Sequence, residues 1–268
     1  MRFSVISTLL IYNFYTEAFN CPNSDLKLMS TSFDPFGTAL LDYISGIKDQ
    51  QIEVETNLTE NETIPVPYLF RTWEEMPEKE QFALSLAKGK ILDVGAGAGS
   101  HALALQNLKK EVTALDWSEN CCKVMEKRGV AQILQEDFFK IDENTKYDSL
   151  LFLMNGFGIV GKLERLDLFF QKCKSLLSPG GIVIGESVDI LYMFEDEEEE
   201  GAYLIDINGD YYGELNYRMS YKDIKGEWFP WLYVSSDHVI EAAERNGFKM
   251  IDFFEGEDSD YIICLELQ

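Results

Sequence analysis

The sequence predicts an α/β fold built around a doubly wound, mostly parallel sheet. From Lys90 onward, short apolar runs alternate with segments of helical periodicity, which is the pattern of parallel strands joined by helices that cover both faces of a sheet. In addition, 268 residues with 46% hydrophobic and 13% aromatic content are enough to bury a sizeable core. We therefore expect a folded α/β domain and not a disordered chain.

The segment ahead of the sheet predicts a helical cover over residues 30–85. Apolar residues between Ser30 and Gly46 recur at helical spacing, and a second helical pattern covers residues 68–89 beyond a polar stretch. Because both patterns precede the first strand, we expect them to lie over the binding edge of the sheet.

Residues 1–29 form an N-terminal extension whose nature stays open. The extension has one arginine and a short apolar run, as a secretory signal does, but Tyr12 and Asn13 interrupt that run. The run is also too short to cross a membrane. An over-called start site or an unstructured extension explains the segment at least as well, so we expect the domain itself to occupy residues 30–268.

Residues 88–190 carry the five apolar runs that predict the parallel strands. The runs read KILDVG, EVTALDW, AQILQED, YDSLLFLMN and GIVIGES in chain order. An amphipathic helix precedes the last run, and the sequence Pro179-Gly180-Gly181 ends it. Residues 236–268 predict a closing helix followed by two further strands.

Residues 191–235 predict an insertion made of an acidic loop and a β-hairpin. Residues 195–200 read EDEEEE, which is usually a solvated loop and only occasionally a collar for a cationic substrate. Over residues 211–222 polar and apolar side chains alternate strictly, as expected for a half-buried strand. Residues 227–235 are the candidate partner strand of the hairpin.

Composition excludes several classes of function. Forty-seven acidic residues against 23 basic ones give a net charge of −24, which repels a phosphate backbone, so nucleic acid is a poor substrate. The five cysteines, two of them adjacent at Cys121 and Cys122, form neither a disulfide framework nor a C-x-x-C clip, which favours the reducing cytoplasm. The two histidines, His101 and His238, lie in no metal-ligand pattern, so we expect no metal and no membrane segment.

A glycine turn follows the first parallel strand, in the sequence ILDVGAGAGSHALALQ. Gly95, Gly97 and Gly99 stand where the strand turns into a helix, so backbone N–H groups there can approach a ligand without interference from side chains. A dinucleotide fingerprint requires a glycine at position 100, where this chain has Ser100. The turn has no Lys or Arg to neutralise a diphosphate, so the pattern favours a nucleoside without phosphates.

Carboxylates stand at the ends of the first three parallel strands. Asp93, Asp116 and Asp137 would all face one crevice, because ligands of open α/β sheets bind outside the carboxyl ends of the strands. Asp116 can accept from both ribose hydroxyls, and Asp137 can accept from the exocyclic amine of adenine, with Phe138 against the ring. Asp93 can orient the glycine turn or, through water, an α-ammonium group. For Asp116 and Asp137 the alternative is a helix N-cap.

These motifs together resemble the class I S-adenosylmethionine-dependent methyltransferases. ILDVGAGAGS resembles their first motif, TALDWS the acidic ribose-binding motif, QEDFF the adenine motif, and LLSPGG the turn before the fifth strand. The resemblance covers residues 90–185, and the closing helix and strand pair are similar to the antiparallel end of the same fold. The chain from Ser30 onward is also similar to a group of uncharacterised bacterial methyltransferases common in Bacteroidetes.

The resemblance implies a Rossmann-like, seven-stranded sheet that is mostly parallel with an antiparallel end. It implies S-adenosyl-L-methionine as the cofactor and an in-line displacement in which positioning supplies most of the catalysis. A weakly acidic acceptor would additionally need a general base. The cofactor-binding residues that it implies are Asp93, Gly95, Ala96, Gly97, Gly99, Asp116, Trp117, Asp137, Phe138 and Asn155.

Two residues near the glycine turn and the fourth strand are catalytic candidates. Asn155 lies in LMNGFGIVG, which lacks the Pro-Pro signature of enzymes that methylate exocyclic amines and is more similar to small-molecule enzymes. Asn155 either contacts the cofactor or acceptor, or stabilises the strand end as a turn residue. His101 either acts as a general base or bonds to backbone or water at the start of its helix.

Further candidates lie outside the parallel core. Arg71 either binds the carboxylate of the cofactor or forms a surface ion pair. Four aromatic residues are candidates to line an acceptor pocket or cage a cation, with plain core packing as the alternative: Tyr211, Tyr212, Trp228 and Trp231.

The sequence favours a methyltransferase that acts on a small molecule. A methyltransferase acting on a protein side chain and a non-catalytic S-adenosylmethionine-binding protein are the alternatives. A nicotinamide-dependent oxidoreductase would need the dinucleotide fingerprint, which is missing.

Overall fold

The chain folds around a seven-stranded sheet in the computed structural model, which describes residues 34–196, 199, 201–206 and 209–268. The predictions for residues 1–29 and for part of the acidic run therefore lie outside the described residues. The strands of this core sheet are β3 (Lys90–Val94), β4 (Glu111–Asp116), β5 (Ile133–Gln135), β6 (Tyr147–Phe152), β7 (Leu177–Val188), β11 (Phe248–Glu255) and β12 (Asp260–Leu267). Their spatial order is β11-β12-β7-β6-β3-β4-β5.

The core sheet is parallel from β5 to β7 and antiparallel at its other end. β3 pairs in parallel with both β4 and β6, while β12 pairs antiparallel with β7 and β11. Every residue of β3 after Lys90 is buried, as expected for a parallel strand with helices on both faces. The doubly wound, mostly parallel seven-stranded sheet predicted from the sequence is thus confirmed.

Six α-helices accompany the strands within the described residues. They are α1 (Pro35–Ile44), α2 (Glu78–Leu86), α3 (Ser100–Asn107), α4 (Glu119–Arg128), α5 (Leu166–Leu176) and α6 (Ser236–Arg245). Helix α4 shows why the boundaries fall where they do: the side chain of Ser118 accepts a hydrogen bond from the N–H of Cys121 at the start, and Gly129 adopts a left-handed conformation at the end.

A second sheet, here called the cover sheet, lies outside the parallel core. It consists of β1 (Gln51–Thr56), β2 (Glu62–Pro65), β8 (Glu214–Tyr221), β9 (Ile224–Lys225) and β10 (Phe229–Leu232). Strands β8 and β10 pair antiparallel, which is the predicted inserted hairpin, and β1 pairs with β8 on the other side. Residues far apart in sequence therefore share one sheet.

The predicted helical cover over residues 30–85 is wrong for its middle part. Residues 51–65 form β1 and β2, because Ile52 and Val54 alternate with exposed Gln51 and Glu53 and pack their β-branched side chains inward. The polar residues of this segment lie on the outer face of the strands. Between β2 and α2 the chain makes two short 3₁₀ turns, Val66–Phe70 and Trp73–Glu75, so the second helical pattern forms only from Glu78 onward.

The cover sheet packs on the carboxyl edge of the core sheet. Its inner face contributes Val54, Tyr217 and Trp231 to a hydrophobic cluster that also contains Met154 and Val188 from the ends of β6 and β7. Within the described part of the chain, the structure has no helix that is long and apolar enough to cross a bilayer.

Candidate active site

The glycine turn connects β3 to α3 through three left-handed residues. Gly95, Gly97 and Gly99 have φ angles of 77°, 54° and 79°, which side chains other than glycine rarely adopt. At Gly99 a Cβ atom would also lie 2.9 Å from Met125. The turn therefore needs glycine for its backbone conformation and for close packing.

Asp116 fastens this turn from the end of β4. Its carboxylate accepts from the N–H of Gly97 at 2.8 Å and from the N–H of Ser118 at 2.8 Å. The cap of α4 is the side chain of Ser118 and not Asp116, so the N-cap alternative does not describe Asp116. Burial raises the pKa of Asp116 to about 8, although the two backbone hydrogen bonds lower it. Each carboxylate oxygen keeps a further lone pair for a ligand donor.

A recess beside the turn brings together several predicted residues. Its walls include Gly95, Asp116, Trp117, Asp137 and Phe138. Asp137 accepts from the N–H of Phe139 at 2.8 Å and lies 3.3 Å from the ammonium group of Lys140. Burial raises the pKa of Asp137. The ring of Phe138 packs edge-on against Phe152 with centroids 5.1 Å apart, so one edge of the recess is anchored in the core.

The other side of the glycine turn faces a pocket that contains a buried cluster of charged groups. Arg71 donates to both oxygens of Glu80 at 2.6 and 2.7 Å, and Glu80 Oε2 lies 2.8 Å from His101 Nε2. Asp93 lines the same pocket and accepts a backbone hydrogen bond from Ala102. Arg71 therefore forms a buried ion pair, and His101 bonds to a carboxylate instead of backbone or water.

The protonation states of this cluster follow from its geometry. Burial by itself lowers the pKa of His101, but the hydrogen bond and the charge of Glu80 and the charge of Asp93 together raise it above its ordinary value. Burial raises the pKa of Glu80, but His101 and Arg71 bring it down to about 2. Glu80 is thus ionised near neutral pH, and its hydrogen bond and charge favour the protonated form of His101, which is the wrong form for a general base.

Two polar atoms in this pocket have no hydrogen-bond partner among the described residues. They are Arg71 Nε, a donor, and Asp93 Oδ2, an acceptor. Both residues line the pocket beside the glycine turn. Buried polar atoms normally find a partner, so this donor and this acceptor leave hydrogen-bonding capacity unused beside the pocket.

The chain beyond β6 makes a strained turn at the same edge. Met154 and Asn155 both have a φ of 56°, an uncommon conformation for residues with side chains. The carboxylate of Glu186 accepts from the N–H of Met154 at 2.5 Å, and Lys79 holds Glu186 at 2.9 Å. Lys79 also pairs with Asp260 at 2.5 Å, so α2 is joined to both β7 and β12.

Asn155 points away from the pocket. Its Oδ1 accepts from the hydroxyl of Ser187 at 2.8 Å, its side chain is fully buried, and the pocket walls include Met154 and Gly156 but not Asn155. Asn155 thus occupies the place expected of a turn residue that stabilises the end of the strand.

The four aromatic candidates do not converge on one pocket. Trp231 is buried against Gly158, where a Cβ atom would lie 2.0 Å from the indole ring. Trp228 is 42% exposed, and the guanidinium of Arg218 covers its ring at 4.4 Å. The rings of Tyr211 and Tyr212 contact each other at a tilt of 43° with centroids 4.3 Å apart, and Tyr212 donates to Asp189. Trp231 is therefore a core residue, and Trp228 lies on the outer surface.

Sequence reasoning missed three residues of this region. Lys79, Glu80 and Glu186 read as surface charges in isolation, yet all three are buried. Their partners lie between 9 and 181 positions away in the chain, so no local pattern could reveal them. The described residues contain no group of three or more His, Cys, Asp or Glu side chains arranged to hold a metal ion.

Comparisons with known proteins agree on one class of enzyme. Residues 91–181 match the model of a methyltransferase domain family. The crystal structure of an S-adenosylmethionine-dependent methyltransferase from Bacteroides fragilis, in complex with S-adenosyl-L-homocysteine, is 42% identical and has a TM-score of 0.81. The alignment covers 90% of this chain and 98% of that one.

Two proteins of lower sequence identity are similar to parts of this chain. An uncharacterised methyltransferase of Staphylococcus carnosus is 25% identical over 170 residues, which cover 61% of this chain and 77% of that protein. CalS10, an amino pentose methyltransferase of Micromonospora echinaspora, is 15% identical with a TM-score of 0.52 over 75% of this chain and 94% of that one, which shows the fold alone.

The core sheet order and the glycine turn followed by carboxylates define a nucleoside-binding α/β enzyme. Together with the relative at 42% identity, they establish that the chain belongs to the S-adenosylmethionine-dependent methyltransferases. Its cofactor is S-adenosyl-L-methionine. The residues present fit this group, because the unpartnered Arg71 Nε and Asp93 Oδ2 match the carboxylate and the ammonium of its amino-acid end.

Proposed function

We propose that this enzyme methylates a small-molecule acceptor bound between the core sheet and the cover sheet. The observation that carries the proposal is the packing of the cover sheet over the carboxyl edge of β6 and β7, with Trp231 directly on Gly158. We infer that a carboxyl edge covered in this way excludes a segment of a folded protein more strongly than it excludes a small molecule. The four described cysteines are free thiols, which fits the reducing cytoplasm that we propose as the compartment.

The adenosyl end of the cofactor is proposed to lie between the glycine turn and the recess. Asp116 would accept from the ribose hydroxyls with the lone pairs that Gly97 and Ser118 leave open. Asp137 and Phe138 would bound the adenine, with Trp117 on the same wall. Support comes from the burial of Asp116 and Asp137, since a carboxylate out of water gains more from ligand donors than an exposed one does.

The amino-acid end is proposed to lie on the other side of the turn. Arg71 would donate from Nε to the carboxylate, and Asp93 would accept from the ammonium. This assignment completes the hydrogen bonding of both buried atoms, which is the reason to prefer it.

The role of the protein in the reaction is proposed to be positioning. S-adenosyl-L-methionine supplies a methyl group on a positively charged sulfur. The turn at Met154 and Asn155, held by hydrogen bonds to Glu186 and Ser187, would fix the wall beside the reacting end. Holding two reactants in attack geometry is worth roughly 7–11 kcal/mol in favourable cases. His101 is assigned to the Glu80 cluster and not to proton abstraction.

Formation of S-adenosyl-L-homocysteine with fractionated extracts tests this function. We expect turnover with a deproteinised metabolite extract and none with a dialysed protein extract. Turnover with the protein extract alone would replace the small-molecule proposal by protein methylation. Binding of the cofactor without turnover in either extract would favour a non-catalytic binding protein.

A further inference from the structure

The charged cluster beside the glycine turn is organised by one carboxylate from α2. Glu80 is 1% exposed and contacts both Arg71 and His101, which come from different segments of the chain. We propose that Glu80 is a positioning residue that makes the pocket selective for the zwitterionic amino-acid end of the cofactor. This inference rests on the proposed placement of that end between Arg71 and Asp93.

The geometry fixes one end of the Arg71 guanidinium and leaves the other open. Nη2 donates to both Glu80 oxygens, and Nη1 donates to the carbonyl of Tyr68 at 2.5 Å. The ring of Tyr68 lies under the guanidinium, with its centroid 3.9 Å from Cζ. These contacts, with a further one from Nη2 to Met154 Sδ at 3.4 Å, hold the group, and Nε is a buried donor that has no partner among the described residues. Pre-organisation of this kind increases affinity because little side-chain entropy is lost on binding.

Glu80 also supplies a negative charge next to both Arg71 and His101. Arg71 and His101 both contact the one carboxylate of Glu80, and Asp93 lies close enough for its charge to act on His101. Without Glu80 the Arg71 guanidinium would lose its buried counterion and would be free to move away from this position. With Glu80 present, the pocket offers a fixed donor on one side and an acceptor on the other, which matches the carboxylate and the ammonium of an amino-acid group.

Two ligands, one with the amino-acid end and one without it, distinguish a positioning role of Glu80 from a general structural role. S-adenosyl-L-homocysteine carries the amino-acid end, whereas 5′-methylthioadenosine has the same adenosine and sulfur without it. Isothermal titration calorimetry with the full chain measures both dissociation constants for the wild type, Glu80→Gln and the matched control Glu78→Gln. Glu78 lies two positions earlier in α2 and is exposed.

For Glu80→Gln we expect the affinity for S-adenosyl-L-homocysteine to fall roughly 10- to 100-fold, the range for loss of a charge-assisted hydrogen-bond arrangement. The affinity for 5′-methylthioadenosine is expected to stay within about twofold, and Glu78→Gln is expected to change neither value. Equal losses for the two ligands, or no loss for either, would overturn the proposal. The proposed pocket assignment fails separately if the wild type binds both ligands equally well.

A conservative variant keeps the test decisive if Glu80→Gln does not fold. Glu80→Asp retains the charge but shortens the reach to Arg71 and His101. We expect a smaller, selective loss of S-adenosyl-L-homocysteine affinity. A loss shared by both ligands in this variant would also count against a positioning role.

Discussion

The two sides of the glycine turn are built in different ways. On the side of Asp116 and Asp137 the pocket comes from consecutive strand ends of the core sheet, and backbone N–H groups hold the carboxylates. On the side of Arg71 and Asp93, α2 brings in Lys79 and Glu80, and buried ion pairs hold the structure. The first side depends on local chain geometry, whereas the second depends on contacts between distant segments.

This difference predicts different responses to substitution. A pocket wall made of backbone hydrogen bonds should change mainly in ligand affinity when one side chain is altered. A wall made of buried ion pairs should lose folding stability as well, because removal of one partner leaves a charge in a low-dielectric interior.

The largest effect is expected for Lys79→Met. The ammonium of Lys79 pairs with Glu186 and Asp260, and Glu186 is 1% exposed. Removal of the cation leaves a buried carboxylate without its counterion, so we expect the free energy of unfolding to fall by about 3–5 kcal/mol in urea titrations. Lys88→Met is the control, since Lys88 lies on the surface 3.7 Å from Glu266 and should cost less than about 1 kcal/mol. Similar losses in the two variants would show that α2 is not fastened by this ion pair.

Asp116→Ala is expected to act on affinity first. It removes the acceptor of the Gly97 and Ser118 N–H groups and the proposed ribose contact. We expect calorimetry to show a loss of S-adenosyl-L-homocysteine affinity of roughly 100-fold, and the same loss for 5′-methylthioadenosine, because both carry the ribose. Glu119→Ala, an exposed carboxylate three positions later, should leave both affinities unchanged. Retained affinity in Asp116→Ala would refute the ribose assignment.

The same difference explains what the sequence could predict. The turn at Gly95 and the carboxylates Asp116 and Asp137 were predictable because strand, turn and helix are consecutive, so short motifs encode their geometry. The parallel part of the core sheet was predictable for a similar reason, since most of its apolar runs alternate with helical segments.

The remaining features depend on tertiary contacts. Strand β1 has a clear alternation at Ile52 and Val54, but its partner β8 lies more than 150 residues away. The polar residues on its outer face made the segment resemble a polar loop. Asn155 could not be placed because its left-handed conformation turns the side chain toward Ser187. The burial of Glu80 likewise follows from packing that no local motif records.

A smaller effect on stability is expected where the cover sheet meets the core. In Gly158→Ala the new Cβ would lie 2.0 Å from the Trp231 ring, so the strand β10 must shift or the ring must rotate. We expect a loss of about 1–3 kcal/mol in the free energy of unfolding, typical of overpacking. In the background of Trp231→Leu, which frees that space, the same substitution should cost clearly less. Additive losses would mean that Trp231 is not the obstacle.

The smallest effect that we expect is a pH dependence of stability caused by Asp116. This residue lies on the side of the glycine turn that backbone hydrogen bonds hold. Burial raises the pKa of Asp116 to about 8, against an ordinary value of 3.8. Between these values the folded protein binds more protons than the unfolded chain, so this residue makes stability fall as pH rises from about 4 to 8. We expect wild type to lose at least about 1 kcal/mol more than Asp116→Asn between pH 5 and pH 8 in urea titrations, since Asn does not titrate. Saturating 5′-methylthioadenosine should reduce this difference, because ribose hydroxyls that donate to the carboxylate favour its charged form. An identical pH dependence in the two proteins would place the titrating group elsewhere, with Asp34 and Asp93, whose pKa values burial also raises, as the next residues to replace.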